Sequence, residues 1–218
     1  MERKIPLFEG ECFHIYNRGV DKRKIFLDSH DYNRFIILLY LCNSNLPVDL
    51  QKIFREGRTF NEIFSIDRGD RLIDIGAWVL MPNHFHLLAR QNCSDGLSVF
   101  MRKLCTGYSN YFNQKNNRLG ALFQGRFKSE HASDDRYLKY LFSYIHLNPV
   151  KLIPGEENWK EVGIKNPDNA SKFINNYEYS SLHDYRNETL FSSLVNKELF
   201  SSISDDLRDM VESVNNWL

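Results

Sequence analysis

The sequence lacks long apolar runs, paired cysteines and any net charge. No apolar stretch approaches the roughly 20 residues that a membrane-spanning helix needs, so we expect no membrane partner. The opening segment MERKIPLFEGE has no apolar core, and we therefore expect no signal peptide. The four cysteines are scattered without a CxxC pair, which favours reduced thiols. These absences together predict a cytoplasmic protein.

The charge of the chain is balanced overall but uneven along its length. Residues 99–151 carry nine basic and three acidic side chains, whereas residues 152–218 carry six basic and twelve acidic ones. A basic middle segment is able to hold phosphates, although the counts taken alone favour ordinary uneven surface charge. Aromatic residues make up 14% of the chain, which suits either a packed core or a surface that stacks bases.

The hydrophobic periodicity predicts an alternation of strands and helices. Strands are expected at 11–18, 73–81, 84–90 and 121–132, and helices at 31–42, 95–114 and from a Ser133 cap to a stop at Pro149. The order β-α-β-β-α-β-α predicts an α/β (α+β) protein of the ferredoxin-like, split βαβ type. It would have one antiparallel sheet, helices on one face and an extra C-terminal helix.

The remaining segments carry weaker patterns. Residues 44–72 are polar and predict an insertion, and residues 155–190 predict mostly irregular structure. A short amphipathic helix is expected from about Ser204 to Trp217. We expect the segment YEYSSLHDY, at 177–185, to pack back on the core or to contact a ligand.

Two histidines stand close together in the apolar run WVLMPNHFHLLAR. Successive side chains of a strand point to opposite faces, so His84 and His86 share one face and Phe85 points into the core. Two imidazoles on an open sheet face are able to bind one divalent metal ion. The alternative is a pair of surface histidines on a half-exposed strand.

The last predicted helix carries a second pair of polar groups. Tyr144 and Asn148 are four residues apart, so their side chains point the same way. A tyrosine is a competent nucleophile towards an activated phosphate, although Tyr144 also fits as one more core aromatic. His14 is expected to be an ordinary strand residue, and His146 to point away from Tyr144.

Four motifs in order, MPNHFHLL, GYSNYFNQ, GALFQGRFKS and YLKYLFSYIHLNPVK, resemble those of the single-tyrosine HUH transposases. The resemblance is greatest to their REP-associated branch and covers about residues 8–155. Residues 156–218 would form a C-terminal extension. HUH denotes His-hydrophobic-His, which is His84-Phe85-His86 in this chain. The family's fold agrees with the ferredoxin-like order expected from periodicity.

The resemblance implies an activity and a set of site residues. Members of this family cut single-stranded DNA beside a hairpin, in a repetitive palindrome or at an element end. By similarity, His84, His86 and Asn148 would bind Mg²⁺ or Mn²⁺, and Tyr144 would form a 5′-phosphotyrosine. Some relatives are homodimers and others are monomers, and the sequence leaves this open.

Basic and aromatic residues of the middle segment are candidate DNA contacts, because interleaved cations and aromatics suit single strands. The candidates are Arg102, Lys103, Lys115, Arg118, Arg126, Lys128 and the stacking residue Tyr108, together with Asn17 and Arg18 at the end of the first strand. Arg126 and Lys128 are expected on one face of a strand. Each also fits as a solvated or core residue.

Two other functions stay open at this point. The chain would be a non-catalytic, domesticated binder of hairpin DNA or RNA if its chemistry were lost. It would be a metal hydrolase if the His-x-His pair acted without a covalent step. The intact tyrosine and amide speak against both alternatives.

Overall fold

An antiparallel sheet lies at the centre of the computed structural model, which describes residues 6–186, 189–201 and 206–215. The strands are β1 (Cys12–Arg18), β2 (Ile73–Met81), β3 (His84–Gln91) and β4 (Lys128–His131). The helices are α1 (Ser29–Leu41), α2 (Leu50–Arg55), α3 (Phe60–Ile63), α4 (Gly96–Lys115), α5 (Asp135–Leu147), α6 (Trp159–Val162), α7 (Pro167–Asn175), α8 (Leu182–Arg186) and α9 (Leu207–Asn215). Short 3-10 turns lie at Val20–Lys22, Asn148–Leu152, Leu190–Leu194 and Glu198–Phe200.

The strand order is that of a split βαβ fold. The four strands run β2-β3-β1-β4, and each neighbouring pair is antiparallel. The predicted α/β class with one antiparallel sheet is therefore confirmed. Helices α1 and α4 pack on one face of the sheet, and α5 packs on the opposite face.

Side-chain alternation along the strands separates two cores. Ile15, Trp78, Phe85 and Leu87 point to the α1 and α4 side, where each is fully buried. Val79, of the same sheet, points to the other side and packs with α5. Phe85 thus anchors β3 to the first core, as its position between the two histidines predicted.

A tight turn joins β2 to β3. Met81 pairs with His84, which leaves Pro82 and Asn83 as a two-residue connection. The carbonyl of Pro82 accepts hydrogen bonds from the backbone N–H of Ile25 at 2.8 Å and of Phe26 at 3.1 Å. The chain that leads into His84 is therefore fixed by the segment before α1.

The C-terminal part of the chain covers the outer edge of β2. The backbone N–H of Leu80 donates to the carbonyl of Tyr179 at 2.9 Å, and the N–H of Ser181 donates to the carbonyl of Trp78 at 2.9 Å. Val79 and Ser180 form an antiparallel bridge between these bonds. An uncovered edge would expose unpaired backbone groups, so this segment completes the sheet. The expectation that residues 177–185 pack back on the core is confirmed.

Several predicted boundaries differ from the structure. Of the strand expected at 121–132, only Lys128–His131 forms a strand, β4. Gly125 has a φ of 91°, and the chain before Lys128 runs as a loop. The cap of α5 is Asp134 rather than Ser133, and its carboxylate accepts from the N–H of Tyr137. Residues 44–72, predicted as a polar insertion, contain α2 and α3. Residues 155–190, predicted as mostly irregular, contain α6, α7 and α8.

Within the described part of the chain, none of the helices combines the length and the apolar character that crossing a bilayer requires. The expected terminal helix, Ser204 to Trp217, is seen as α9 over Leu207–Asn215, and its predicted ends lie outside the described residues. Met210 and Val214 of α9 are buried with α5.

A buried hydroxyl links α5 to the edge of the sheet, and its removal is expected to destabilise the fold. Ser181 Oγ accepts from the N–H of Trp78 at 2.9 Å and lies 2.8 Å from Nε2 of His146. Ser181→Ala would leave both groups buried without a partner, so we expect the free energy of unfolding to fall by about 1–3 kcal/mol. Urea unfolding monitored by circular dichroism measures it.

The matched control is Ser65→Ala, since the Ser65 hydroxyl donates to the carbonyl of Asn61 at an exposed site. We expect this variant to lose less than about 0.5 kcal/mol. Equal losses in the two variants would contradict the role given to Ser181.

Candidate active site

One face of the sheet is lined with polar side chains where β4, β1 and β3 run side by side. Tyr16 pairs with His86 on one side and with Lys128 on the other, Arg18 pairs with His84, and His14 pairs with Glu130. Directly paired residues of antiparallel strands point to the same face. We call this set, His14, Tyr16, Arg18, His84, His86, Lys128 and Glu130, the polar face.

His84 is held in one tautomer by its neighbour in the turn. Its Nδ1 atom lies 2.6 Å from Oδ1 of Asn83, and Nδ2 of Asn83 donates to the carbonyl of Lys22 at 3.2 Å. Because the amide nitrogen has its own acceptor, the oxygen faces His84 and must receive the Nδ1 proton. The lone pair of His84 then lies on Nε2, and a metal-binding histidine commonly donates its other ring N–H to a partner in this way.

Burial keeps both histidines of the pair neutral. It lowers the pKa of His84 to about 4, with Lys151 adding to the effect and Asn148 opposing it. Burial, followed by the neighbouring rings of His14 and His84, lowers the pKa of His86 well below its usual value. The two rings are perpendicular, with centroids 5.0 Å apart. Neutral imidazole is the form that binds a metal ion.

Asn148 supplies an oxygen next to these rings. It follows the last residue of α5 and is fully buried. Its Nδ2 atom donates to the carbonyl of Tyr144 at 3.4 Å, whereas its buried Oδ1 accepts no hydrogen bond of normal geometry among the described residues, although the amide lies close enough to His84 to affect its pKa. A buried carbonyl oxygen without a donor is costly unless something else satisfies it. The residues present therefore fit a cation.

The donor set consists of two imidazoles and one amide. Among the residues that the structure describes, no three His, Cys, Asp or Glu side chains cluster in a way that could hold a metal ion. A site at His84, His86 and Asn148 would thus have no negative ligand from the protein, which leaves charge to be supplied by a bound anion such as a phosphate.

Tyr144 stands over the histidine pair. Its ring meets the ring of His86 edge-on with centroids 5.6 Å apart, and that of His14 at 6.1 Å. The Nζ atoms of Lys151 and Lys160 lie 5.4 and 5.0 Å from the centre of the Tyr144 ring. The phenol and the histidines thus come from the same chain, and two ammonium groups flank the phenol.

Two cavities meet at this face. One has a volume of about 340 Å³ and is lined by Tyr16, Asn17, Arg18, Asn83, His84, His86, Gln124 and Lys128. The other, of about 240 Å³, is lined by His14, Tyr16, His86, Glu130, Tyr137, Tyr140, Leu141, Tyr144 and Lys160. They share Tyr16 and His86, so the first cavity leads towards the tyrosine that lines the second.

The candidate DNA contacts near the strands are only partly brought to this face. Arg18 and Lys128 lie on it, and Arg18 Nε donates to Gln124 Oε1 at 2.7 Å. Asn17 is buried, and its Nδ2 donates to the carbonyl of Gly125 at 3.1 Å, so it positions the loop. Arg126 is exposed but lies before β4, so its predicted strand alternation with Lys128 is wrong.

The candidates on and after α4 lie away from the site, because α4 packs on the opposite face of the sheet. Tyr108 is fully buried and its hydroxyl donates to the carbonyl of Ile25, so the prediction that it stacks bases is wrong. Lys115 forms ion pairs with Asp28 and Asp31.

Three further basic candidates have structural neighbours of their own. Lys103 donates to the carbonyl of Ser44 at 2.8 Å, and Arg118 donates to Oδ1 of Asn113 at 2.8 Å. Arg102 is exposed on α4, beside a groove that Val48 and Leu50 also line. None of these contacts involves the polar face.

Sequence reasoning missed His14 and Asn83. His14 is buried, and its Nε2 lies 2.8 Å from Nδ1 of His86. The period-two spacing of His14, Tyr16 and Arg18 in FHIYNR was the available signal, since it places all three on one face. His146 points away from Tyr144, as predicted, and is buried against Ser181.

The chain is similar to known transposases in sequence pattern and in fold. Residues 52–148 match the family model described as "Transposase IS200 like", a segment that includes His84, His86, Tyr144 and Asn148. A solved structure described as "Structure of the REP associates tyrosine transposase bound to a REP hairpin" is similar, with a TM-score of 0.51 and 17% identity over 85% of each chain. No curated protein sequence matches the chain significantly. The resemblance indicated by the motifs is therefore confirmed: residues 52–148 carry the pattern of the IS200-like transposases, and the chain has the fold of a REP-associated tyrosine transposase.

Proposed function

We propose that this chain is a metal-dependent transposase that cuts and rejoins single-stranded DNA beside hairpins through a 5′-phosphotyrosine intermediate. The observation that carries the proposal is the placement of Tyr144 against His86, with the buried amide of Asn148 one helical turn further on. The family match of residues 52–148 supports it. The similar solved structure is bound to a REP hairpin, and we extend that substrate class, a palindromic or element-end hairpin, to this chain.

In this proposal His84, His86 and Asn148 hold a divalent cation, Mg²⁺ or Mn²⁺. The bound cation supplies Lewis-acid polarisation of the scissile phosphate. Two imidazole nitrogens favour Mn²⁺, whereas Mg²⁺ prefers oxygen ligands and retains more water. Asn83 contributes by holding the His84 ring, so that Nε2 rather than Nδ1 carries the lone pair.

Tyr144 is the proposed nucleophile. Its hydroxyl oxygen forms a bond to the phosphorus of the scissile phosphate, which stays on the 5′-oxygen of the downstream fragment, and the bond from that phosphorus to the 3′-oxygen of the upstream fragment breaks. The phenol loses its proton and the leaving 3′-oxygen gains one, so one phosphoester replaces another without ATP. A 3′-hydroxyl of a second strand reverses the exchange and joins new ends.

Lys151 and Lys160 stabilise the negative charge that develops on the phenol oxygen and the phosphate. Both ammonium groups lie beside the Tyr144 ring. Burial lowers the pKa of Lys160, but the hydroxyls of Tyr140 and Tyr144 outweigh it and the net shift is upward. Lys160 therefore keeps its charge at neutral pH.

The larger cavity provides a path for the DNA backbone. Arg18, Lys128 and the amide of Gln124 line it next to His84, and cations of this kind bind phosphates without reading sequence. Asn17 acts indirectly, since it holds the Gly125 loop that precedes β4. Arg126, exposed in that loop, would contact the strand outside the cavity.

The proposed site needs no second copy of the chain, because its histidines and its tyrosine come from one chain. A homodimer is therefore not part of the proposed mechanism. We propose residues 8–155 as the catalytic domain and the cytoplasm as its location. The segment after residue 155 would complete the site through Lys160 and the sheet through Ser180.

We expect the chain to form a covalent adduct with DNA through Tyr144. The protein is mixed with Mn²⁺ and with labelled single-stranded oligonucleotides that cover the flanks of its own gene, and is run on a denaturing gel. A shifted, protease-sensitive band is expected for the wild type. Tyr144→Phe removes the nucleophilic oxygen and is expected to abolish the band.

Tyr140→Phe is the matched control, since Tyr140 stacks on Tyr144 one turn away and should leave the band in place. A band that survives in Tyr144→Phe and disappears in Tyr140→Phe would assign the nucleophile to Tyr140 instead. Tight binding of the same oligonucleotides without any adduct would favour the non-catalytic hairpin binder.

We also expect Lys151→Gln and Lys160→Gln each to slow adduct formation by about 10- to 100-fold. Preorganised groups that face developing negative charge usually contribute up to 10²–10³ in rate, and partial exposure of these side chains reduces their effect. Single-turnover rates at saturating DNA measure the change.

Lys139→Gln serves as the control, because Lys139 lies on α5, the helix that carries Tyr144, but its side chain is exposed. The role of the two lysines would be rejected if all three variants had the same rate, or if only the affinity for DNA changed.

A further inference from the structure

His14 forms the middle of a chain of polar groups behind the proposed metal ligand His86. Its Nε2 atom lies 2.8 Å from Nδ1 of His86, and the two rings are stacked with centroids 5.0 Å apart. Its Nδ1 atom lies 3.7 Å from Oε2 of Glu130, too far for a formed hydrogen bond but within reach of the carboxylate charge. No other partner contacts this Nδ1 atom among the described residues.

The negative charge of Glu130 determines which ring nitrogens of His14 and His86 carry a proton. A lone pair on Nδ1 of His14 would face the negative charge of Glu130, whereas an N–H there is attracted to it. With a single ring proton on Nδ1, His14 has its lone pair on Nε2. That lone pair accepts the Nδ1 proton of His86, and the lone pair of His86 then lies on Nε2.

Hydrogen bonds from two hydroxyl groups hold the carboxylate of Glu130 in position and favour its charged form. The hydroxyl of Tyr16 donates to Oε1 at 2.8 Å, and the hydroxyl of Tyr137 donates to Oε2 at 3.2 Å. The interaction with His14, followed by that with Tyr16, lowers the pKa of Glu130 to about 2 even though burial opposes this. The carboxylate therefore remains an acceptor throughout the pH range in which the protein would act.

We propose that Glu130 and His14 are positioning residues, which hold His86 as the Nδ1–H tautomer and so present its Nε2 lone pair to the metal ion. This inference rests on the proposed metal site and adds to it a second pair of residues. Each of the two ligating histidines would then have its tautomer fixed by a polar neighbour. Asn83 fixes the tautomer of His84 from the turn, and the Glu130–His14 pair fixes that of His86 from the neighbouring strands.

The opposite direction of the hydrogen bond between His14 and His86 predicts the other tautomer of His86. If His14 donated from Nε2, the proton of His86 would lie on its own Nε2 and the ring could not bind a metal ion there. The ¹⁵N NMR spectrum of the full-length chain, with labelled histidine rings and without metal at pH 7.5, separates the two cases. We expect a protonated Nδ1 and an unprotonated Nε2 for His86. A protonated Nε2 would overturn the inference.

Metal affinity gives a second measurement on the same residues. Titration calorimetry with Mn²⁺ is expected to show binding to the wild type that is weakened about 10- to 100-fold in His14→Leu, the usual loss when a partner of a ligating histidine is removed. His14→Gln keeps an acceptor for the His86 proton and should bind Mn²⁺ more tightly than His14→Leu. Glu130→Gln should also weaken binding.

The control is His131→Leu. His131 also pairs with a carboxylate, Glu11 at 2.8 Å, but it lies one strand position away, next to Phe13 on the other face. The affinity of the His131→Leu variant for Mn²⁺ should stay within about twofold of that of the wild type. Thermal unfolding of each variant confirms that it is folded.

The outcomes separate this inference from the proposed function. Wild-type protein that binds no Mn²⁺ would overturn the metal site and this inference with it. Wild-type protein that binds Mn²⁺ and forms the DNA adduct, while His14→Leu binds Mn²⁺ as tightly as the wild type, would overturn the inference alone.

Discussion

The antiparallel pairing of β1 with β3 is the constraint on which the rest of the site depends. In this register Tyr16 lies opposite His86 and Arg18 lies opposite His84. A slip of one residue would turn both histidines into the apolar core and Phe85 into solvent. The large cost of exposing Phe85, which packs against Phe35 at a centroid distance of 5.0 Å, keeps the register fixed. The hydrophobic side of the strands thereby determines the geometry of their polar side.

A second constraint is the approach of α5 to that polar side. Buried apolar residues of α5 pack against β2, β3 and α9, and His146 contacts the Ser181 hydroxyl at the sheet edge. The end of the helix, with Tyr144 and Asn148, therefore has little freedom relative to the histidines. Through this packing the C-terminal segment helps to position the end of α5, although it lies beyond the part that the family pattern covers.

Patterns of local origin were predictable from the sequence, whereas features that depend on long-range packing were not. Alternation and helical spacing located β2, β3, α4 and α5 to within one or two residues, and the HUH motif located His84 and His86. Tyr108 looked like a stacking residue because its charged neighbours suggested a surface, yet its ring closes the core between α4 and the segment near Ile25. His14 looked ordinary because its partners, His86 and Glu130, are 72 and 116 residues away in sequence. The position of Arg126 was not predictable either, because the loop that contains it depends on the backbone conformation of Gly125.

We propose that two neutral imidazoles and the amide of Asn148 form one cation site beneath Tyr144. Diffraction data collected at the manganese absorption edge from crystals grown with Mn²⁺ would test it most directly. The account predicts a single anomalous peak within bonding distance of His84 Nε2, His86 Nε2 and Asn148 Oδ1. An anomalous peak elsewhere, or none at this face at millimolar Mn²⁺, would contradict it.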